Sequence, residues 1–387
     1  MLKPALRRAW RDRDTVQFGV APAHAVVVGP LDTATGCFLG LLDGTRGLPL
    51  LRQGARDLGL PEELADAVVE RLAGAGLVDD PRGGGAGAAA LRSRGAAVDR
   101  LRPDLASLSV LHHGPGAAMR VMAARRSARV QVRGTGRVGA AIAALLSASG
   151  VGRVDVLDGG CVEPWDVGPG GLCPERIGER RDAAARQVVR RSAPAPSPRS
   201  RAGGRGGGPE GGGAGPGEDP PLALVVFAPR DGLAAYAPDP AAAEEFLAGG
   251  TPVLYAGVLE ATGVVGPLVL PGGSACAGCV ELHRAERDPA WPRMLAQWRS
   301  GRGSGVPSCD MALATVVAGL AVTRALAVVD GDPEPGAGVR LELALPGPAW
   351  TPRPVEPHPR CPCGAAGSPD PERARAAAGP PHGTMPG

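Results

Sequence analysis

The sequence predicts an α/β protein: a Rossmann-like domain with a parallel-rich sheet, preceded by a small winged-helix α+β domain. Three observations predict it. Residues 130–158 run apolar strand, glycine turn, Ala-rich helix, apolar strand and acid, the alternation of a parallel βαβ unit. "LALVVFAP" at 222–229 is another short apolar run of the kind such a sheet buries. Ahead of both, residues 14–80 read as a hairpin followed by three helices.

The elements follow in chain order. In "TVQFGVAPAHAVVVGPL" two β-rich runs flank "APAHA", which predicts the hairpin. "LDTATGCFLGLLDGTRGL" opens with Asp32 and Thr33, both N-cap types, and gives an apolar helix ending at Gly44. Cys37 falls on that helix and reads as core. "LPLLRQGARDLGL" gives a second short helix closed by Gly59. Pro61 starts a third helix, over 62–75, with acids in its first turn. "DDPRGGGAGAAALRSRG" at 79–95 reads as linker, and 81–129 as linker plus a connecting helix, "AAMRVMAARRSAR". The basic runs "RRAWRDR" and "GERRDAAARQVVRR" read as solvated helix faces. The main domain is expected over 130–364, interrupted by a low-complexity, disordered insertion at 192–220. "MALATVVAGLAVT", stopped by Arg324, reads as a buried helix too short to span a bilayer. The tail from 365 reads as disordered.

Bulk properties exclude several classes. The net charge is +3, too modest for a dedicated nucleic-acid binder. No secretory signal opens the chain, so a cytoplasmic protein without a membrane partner is expected. The Gly and Pro totals, 60 and 41, point to linker and disordered segments. Eight cysteines in a chain of this length suggest reduced thiols or metal ligands before a disulfide framework.

Two constellations carry chemistry. Gly134, Gly136 and Gly139 have GxGxxG spacing between a strand and a helix, where glycine lets a phosphate approach backbone N–H groups at the helix start. Asp158 closes the next strand, 19 residues after Gly139, where an acid can take ribose hydroxyls. The second constellation is "CAGC" and "HPRCPCG". Cys276, Cys279, Cys361 and Cys363 have the form of a closed, structural tetrathiolate zinc site. His283 and His358 flank the pairs and could replace one thiolate. Cys309 precedes a long apolar helix with no basic partner nearby in sequence, so its thiol reads as buried and unactivated.

"VDVLDGGCVEPWDV" resembles the ThiF/MoeB/HesA family, related to the ubiquitin-activating enzymes. Asp158, Val162 and Glu163 match its "DxDxVExSNL" segment, and Asp166 stands at its Asn. The resemblance covers roughly 130–364. It implies ATP with Mg2+ as cofactor, adenylylation of the carboxylate of a peptide or small carrier protein, a structural Zn2+ and a homodimer. It implies that Arg181 stands for the phosphate-contacting lysine and Asp231 for the acid that works with Mg2+. The sequence departs from the family at Pro169, where an arginine contacts phosphates, and at Gly160, where a second acid stands. The second thiolate pair is CxC where the family has CxxC.

Residues 14–80 resemble the PqqD-like winged-helix modules that bind leader peptides, on "VQFGV", "LLDGTRGL" and "LAGAGLVDD". That resemblance implies a peptide adding a strand beside 15–20, against the helix at 62–75. The pairing of the two domains is similar to the leader-peptide-binding partners of YcaO cyclodehydratases. Two readings therefore stand side by side: an adenylyl-transferring enzyme, and a scaffold that presents a precursor peptide to a cyclodehydratase. A nicotinamide oxidoreductase would rest on the glycine turn alone.

Overall fold

The computed structural model describes residues 1–195, 220–301, 306–332, 337–347 and 349–367. Most of the expected insertion (196–219) and of the expected tail (368–387) lies outside them. The chain divides into two compact units, Met1–Arg126 and Ser127–Gly387.

The first unit opens with a three-stranded antiparallel sheet. Its strands are β1 (Arg8–Trp10), β2 (Val16–Phe18) and β3 (Val26–Val28), in the order β1-β2-β3. Helices α1 (Thr33–Leu41), α2 (Leu48–Asp57) and α3 (Glu62–Gly74) cover one side of it. Asp32 caps α1 by accepting the Thr35 N–H at 2.7 Å, as its residue type predicts. Val16, Phe18, Phe38, Leu39 and Leu72 form the shared core.

Three expectations are corrected in this unit. Part of "RRAWRDR" is not a helix face but the strand β1, paired Ala9 to Gln17 with β2. Cys37 is exposed; Phe38 and Leu39 carry the buried face of α1. The stretch read as linker folds into α4 (Gly85–Arg92), α5 (Gly95–Arg100) and α6 (Arg102–Leu111), followed by α7 (Ala117–Ser127). Their glycine-rich composition hid a small core of Ala88, Leu91, Leu101, Leu108 and Met122. Tertiary burial outweighs the low helix propensity of the glycines there.

The second unit is built on a seven-stranded sheet. Its strands are β4 (Arg129–Arg133), β5 (Arg153–Leu157), β6 (Leu222–Phe227), β7 (Val253–Leu259), β8 (Thr262–Val269), β9 (Val339–Ala344) and β10 (Thr351–Pro354). The order is β10-β9-β8-β7-β6-β4-β5. β4 to β7 pair in parallel, and β8, β9 and β10 continue the sheet antiparallel.

Alternation along the strands feeds two cores. Leu224, Val226 and Leu254 face one side, with Ile142 and Leu146 of α8 (Arg137–Ala148) and Val317 and Ala321 of α14 (Met311–Val329). Val225, Val253 and Tyr255 face the other, with Cys276 and Cys279. Each such fully buried Leu contributes about 2 kcal/mol. α14 has 19 residues and a hydropathy that satisfies a membrane span by length and composition. One of its faces is packed in the core just described. Arg324 does not stop the helix, because its guanidinium donates to the Val339 carbonyl (2.9 Å).

The order β5-β4-β6 positions a site. From β4 the chain crosses to β5 on one side, and from β5 it crosses back past β4 to β6 on the other. The crevice beyond the carboxyl ends of these strands is the topological switch point where such sheets bind ligands.

Candidate functional site

The glycine loop sits at that point, and its three glycines have different physical reasons. Gly134 has φ +97°, and a Cβ there would lie 2.2 Å from the Ala228 carbonyl oxygen. A Cβ on Gly139 would lie 2.0 Å from the Gly134 oxygen, so the first turn of α8 packs directly on the loop. Both are required by the protein's own backbone. Gly136 differs in that its nearest contact is a side chain: its Cβ would meet Arg230 Cγ at 3.2 Å.

Asp158, just past β5, is where the sequence places it, beside the loop. Its Oδ2 accepts from the Thr135 N–H (2.7 Å) and the Thr135 hydroxyl (2.8 Å). The same oxygen lies 3.0 Å from Arg181 Nε. Arg181 opens helix α9 (Arg181–Ser192) and is buried. It also donates to Asp166 Oδ2 (3.1 Å), the Gly159 carbonyl (2.6 Å) and the Cys161 carbonyl (3.0 Å). Asp166, 2% exposed, also accepts from Arg230 Nε at 2.7 Å. Arg230 Nη2 donates to Glu163. Burial pushes the Asp166 carboxyl up, and the Arg181 guanidinium opposes it. Arg137 ties the wall together, donating to the Trp165 carbonyl (2.6 Å) and the Cys309 carbonyl (2.7 Å).

The charges of this seat are matched from within. Arg181 and Arg230 pair with Asp158, Asp166 and Glu163, while Arg137 is held by backbone carbonyls. The space left among Gly136, Trp165, Asp166, Arg230 and Cys309 is about 20 Å3, room for one water. The two departures from the family pattern find their places here. Gly160 has φ +73°, and a Cβ there would meet Arg181 Nη2 at 2.9 Å, so Arg181 stands where a side chain at 160 would begin. Pro169 lies in an exposed turn and brings no cation. Asp231 is exposed and caps α10 (Gly232–Tyr236), accepting the Leu233 N–H at 3.0 Å. It lines, with Arg181 and Arg230, an adjoining cleft of about 1080 Å3. As arranged, these residues do not fit a nucleoside triphosphate with its Mg2+. Arg230 fills the approach over Gly136, and among the described residues of the seat each cation is already engaged, Arg181 and Arg230 by carboxylates and Arg137 by two backbone carbonyls.

The sequence brought Gly134, Gly136, Gly139, Asp158 and Arg181 to this place. It missed Arg230, one residue before Asp231, as well as Thr135 and Arg137. Cys309 does have a basic neighbour, Arg137, from 172 residues away. Burial nevertheless pushes its thiol up, so it is not activated.

The thiolate pairs converge elsewhere in the unit. Cys276 caps α12 (Ala277–Arg287) and Cys279 sits in its first turn. Cys361 and Cys363 follow β10. The four sulfurs lie within 4.8 Å of one another. Individual separations are 3.5 Å (Cys276–Cys361), 3.6 Å (Cys279–Cys363) and 4.0 Å (Cys276–Cys279). A tetrahedral zinc with Zn–S of about 2.3 Å places its sulfurs about 3.8 Å apart, so the residues fit that ion. Burial pushes the Cys276 thiol up and the Cys361 thiol to about 11, a cost that a divalent cation reverses. The flanking histidines do not replace a thiolate. His283 Nε2 contacts the Glu356 carbonyl (3.1 Å), and His358 is held by Glu286 (3.0 Å) and the Arg360 N–H (3.1 Å).

The sequence profile of the ThiF family matches residues 116–363. No curated protein matches the chain in sequence. Solved structures match it in fold. Escherichia coli MccB with succinimide is 12% identical, with a TM-score of 0.64 over 94% of this chain and 98% of that one. MccB of the same organism with ATP gives 13%, a TM-score of 0.63, and 94% and 98%. PaaA gives 15%, a TM-score of 0.61, and 91% and 99%. Another MccB structure, of a microcin C7 biosynthetic enzyme, holds N-formylated MccA. At these identities the likeness is one of fold.

Proposed function

The chain belongs to the ThiF family, and on that premise we propose that it is a peptide-binding scaffold: it captures a ribosomally made precursor peptide and presents it to a separate modifying enzyme of the cyclodehydratase type. The observation that carries this reading is the seat filled by Arg181 and Arg230, which leaves the fold intact and the phosphate approach closed. The four cysteines hold a structural zinc, a staple without an open position.

In this reading residues 1–80 are a PqqD-like peptide module. The docking edge differs from the one the sequence suggested. The strand at 15–20 is β2, central and paired on both sides, so it has no backbone row to offer. β3 is an outer strand. Arg11 N–H donates to the Thr15 carbonyl and Gly19 N–H to the Arg7 carbonyl, so the odd-numbered residues of β2 bond β1. The even-numbered ones then bond Val26 and Val28, and Val27 turns its N–H and C=O outward. Val27 is 50% exposed, and Arg71 of α3 reaches the Gly29 carbonyl (3.4 Å) at the end of the same strand. A leader peptide adds there as a fourth strand.

The test is anisotropy of a fluorescein-labelled precursor leader peptide on the full chain. Val27→Pro removes only an outward N–H, which an edge strand tolerates. It should weaken binding up to about tenfold, the loss of one hydrogen bond, without lowering Tm appreciably. A leader that binds nowhere on the chain ends this reading. One observation favours a second reading, adenylyl transfer: Asp158 stands beside the glycine loop, as a ribose-binding acid would. Heat from ATP in calorimetry together with ATP–pyrophosphate exchange would establish it in place of the first.

A further inference from the structure

A separate cleft of about 650 Å3 lies in the second unit between α12 and the β9–β10 pair. Arg340 of β9 lines it and is 2% exposed. Its Nη1 donates to the Tyr236 carbonyl (2.6 Å). Its Nη2 has no hydrogen-bond partner among the described residues, and its Nε, 2.9 Å from Glu342 Oε1, is out of line for one. A buried guanidinium left so is uncommon, because an orphaned donor forfeits its hydration without return.

A second cation crowds it. Arg284 of α12 donates to the same Tyr236 carbonyl (3.1 Å), and both guanidiniums stack on the Tyr236 ring, at 4.1 Å for Arg340 and 4.5 Å for Arg284. Burial, followed by the Arg284 charge, pulls the Arg340 pKa down to about 10. Of the acids nearby, Glu281 is engaged by Arg284, Glu342 by Arg340 and Arg353, and Glu286 by His358 and Arg360, while Glu356 also lines the cleft. Arg287 stands exposed at the rim.

We propose that this cleft binds a carboxylate of the captured peptide, received by Arg284 over the buried Arg340 with Arg287 at the mouth. Paired guanidiniums match the two oxygens of a carboxylate. Tyr236 and Glu342 also line the 1080 Å3 cleft that reaches Arg181 and Arg230, so one extended peptide can occupy both. The inference rests on the peptide-binding reading and names a chemistry for the peptide: acidic.

The probe is fluorescein-labelled Gly-Gly-Glu-Glu-Gly-Gly, with a free or an amidated C-terminus, against its Gln-Gln counterpart, read by anisotropy on the full chain. It contains no leader, so leader binding measured in parallel separates failure of this site from failure of the scaffold reading. The free-acid Glu peptide should bind, and the amidated Gln peptide, which keeps no peptide carboxylate, should not. Binding should fall about tenfold in Arg284→Gln and about threefold in Arg287→Gln, whose exposed position spares folding. Amidation that abolishes binding assigns the site to a terminal carboxylate; amidation without effect assigns it to an acidic side chain. Glu and free-acid Gln peptides that bind no better than the amidated Gln peptide, or affinities unchanged in both variants, overturn the proposal.

Discussion

The glycine loop and the thiolate knot are both announced by short motifs, yet the structure treats them differently. In the knot the four motif residues are the whole site. Four sulfurs are brought to within 4.8 Å of one another, close to the spacing a tetrahedral ion takes. In the loop the motif residues are only the floor. Two of its glycines answer to the protein's own carbonyls, and the space over the third is taken by Arg230, 94 residues away. A motif therefore predicts a backbone shape reliably. It predicts a ligand only when no distant side chain reaches the same space first.

The comparison can be broken most forcefully at the knot. Cys279→Ser leaves three thiolates and should cost several kcal/mol, since structural zinc binding is folding free energy. For a unit of this size that corresponds to a Tm lower by roughly 10 °C, and elemental analysis should find one zinc in the wild type and none in the variant. A protein that carries no zinc and melts unchanged would refute the assignment.

At the loop the difference between glycines can be measured directly. Gly139→Ala forces a Cβ onto a carbonyl and should cost about 3 kcal/mol in urea unfolding. Gly136→Ala meets only the Arg230 side chain and should cost about 1 kcal/mol. Equal costs would mean that Arg230 is as fixed as backbone. Arg230→Met tests the same residue from the other side. Breaking its pairs with Asp166 and Glu163 should cost about 2 kcal/mol, less than a fully buried pair because Arg230 is partly exposed. If that variant, unlike the wild type, gives heat with ATP, Arg230 is what closes the seat.

The smallest effect concerns the start of α9, which presents Arg181. Arg180 and Arg186 hold the Asp182 carboxyl at about 2, below the usual 3.8. A depressed acid stabilises the fold above its ordinary pKa, and that contribution is lost as pH falls through 2. Asp182→Asn should therefore flatten the acid end of the stability curve between about pH 4 and 2, by less than about 1 kcal/mol. Acid titration followed by circular dichroism reads it.

Much of this was legible in the sequence where a local rule decides. The strand–glycine–helix–strand–acid run gave β4, α8, β5 and Asp158, because period and turn chemistry are local. CxxC and CxC gave the knot because ligand spacing is local. The rest depended on long-range packing. Glycines masked α4 and α5, which form only against Leu101, Leu108 and Met122. Three residues show no period, so β1 reads in sequence as a helix face, and only pairing with β2 makes it a strand. Arg230 looked unremarkable beside Asp231, since its partners lie 64 and 67 residues earlier in the chain.

β10 is the outermost strand of its sheet, and all four of its residues are exposed. Such a strand would ordinarily fray. Its chain continues directly into Cys361 and Cys363, which meet sulfurs 84 and 85 residues earlier. An ion gripping all four would tie the end of the sheet back to its middle, like a buckle on a strap. Amide protons of β9 and β10 would then exchange slowly with zinc bound and quickly after chelation, while those of β4 and β5 would barely notice.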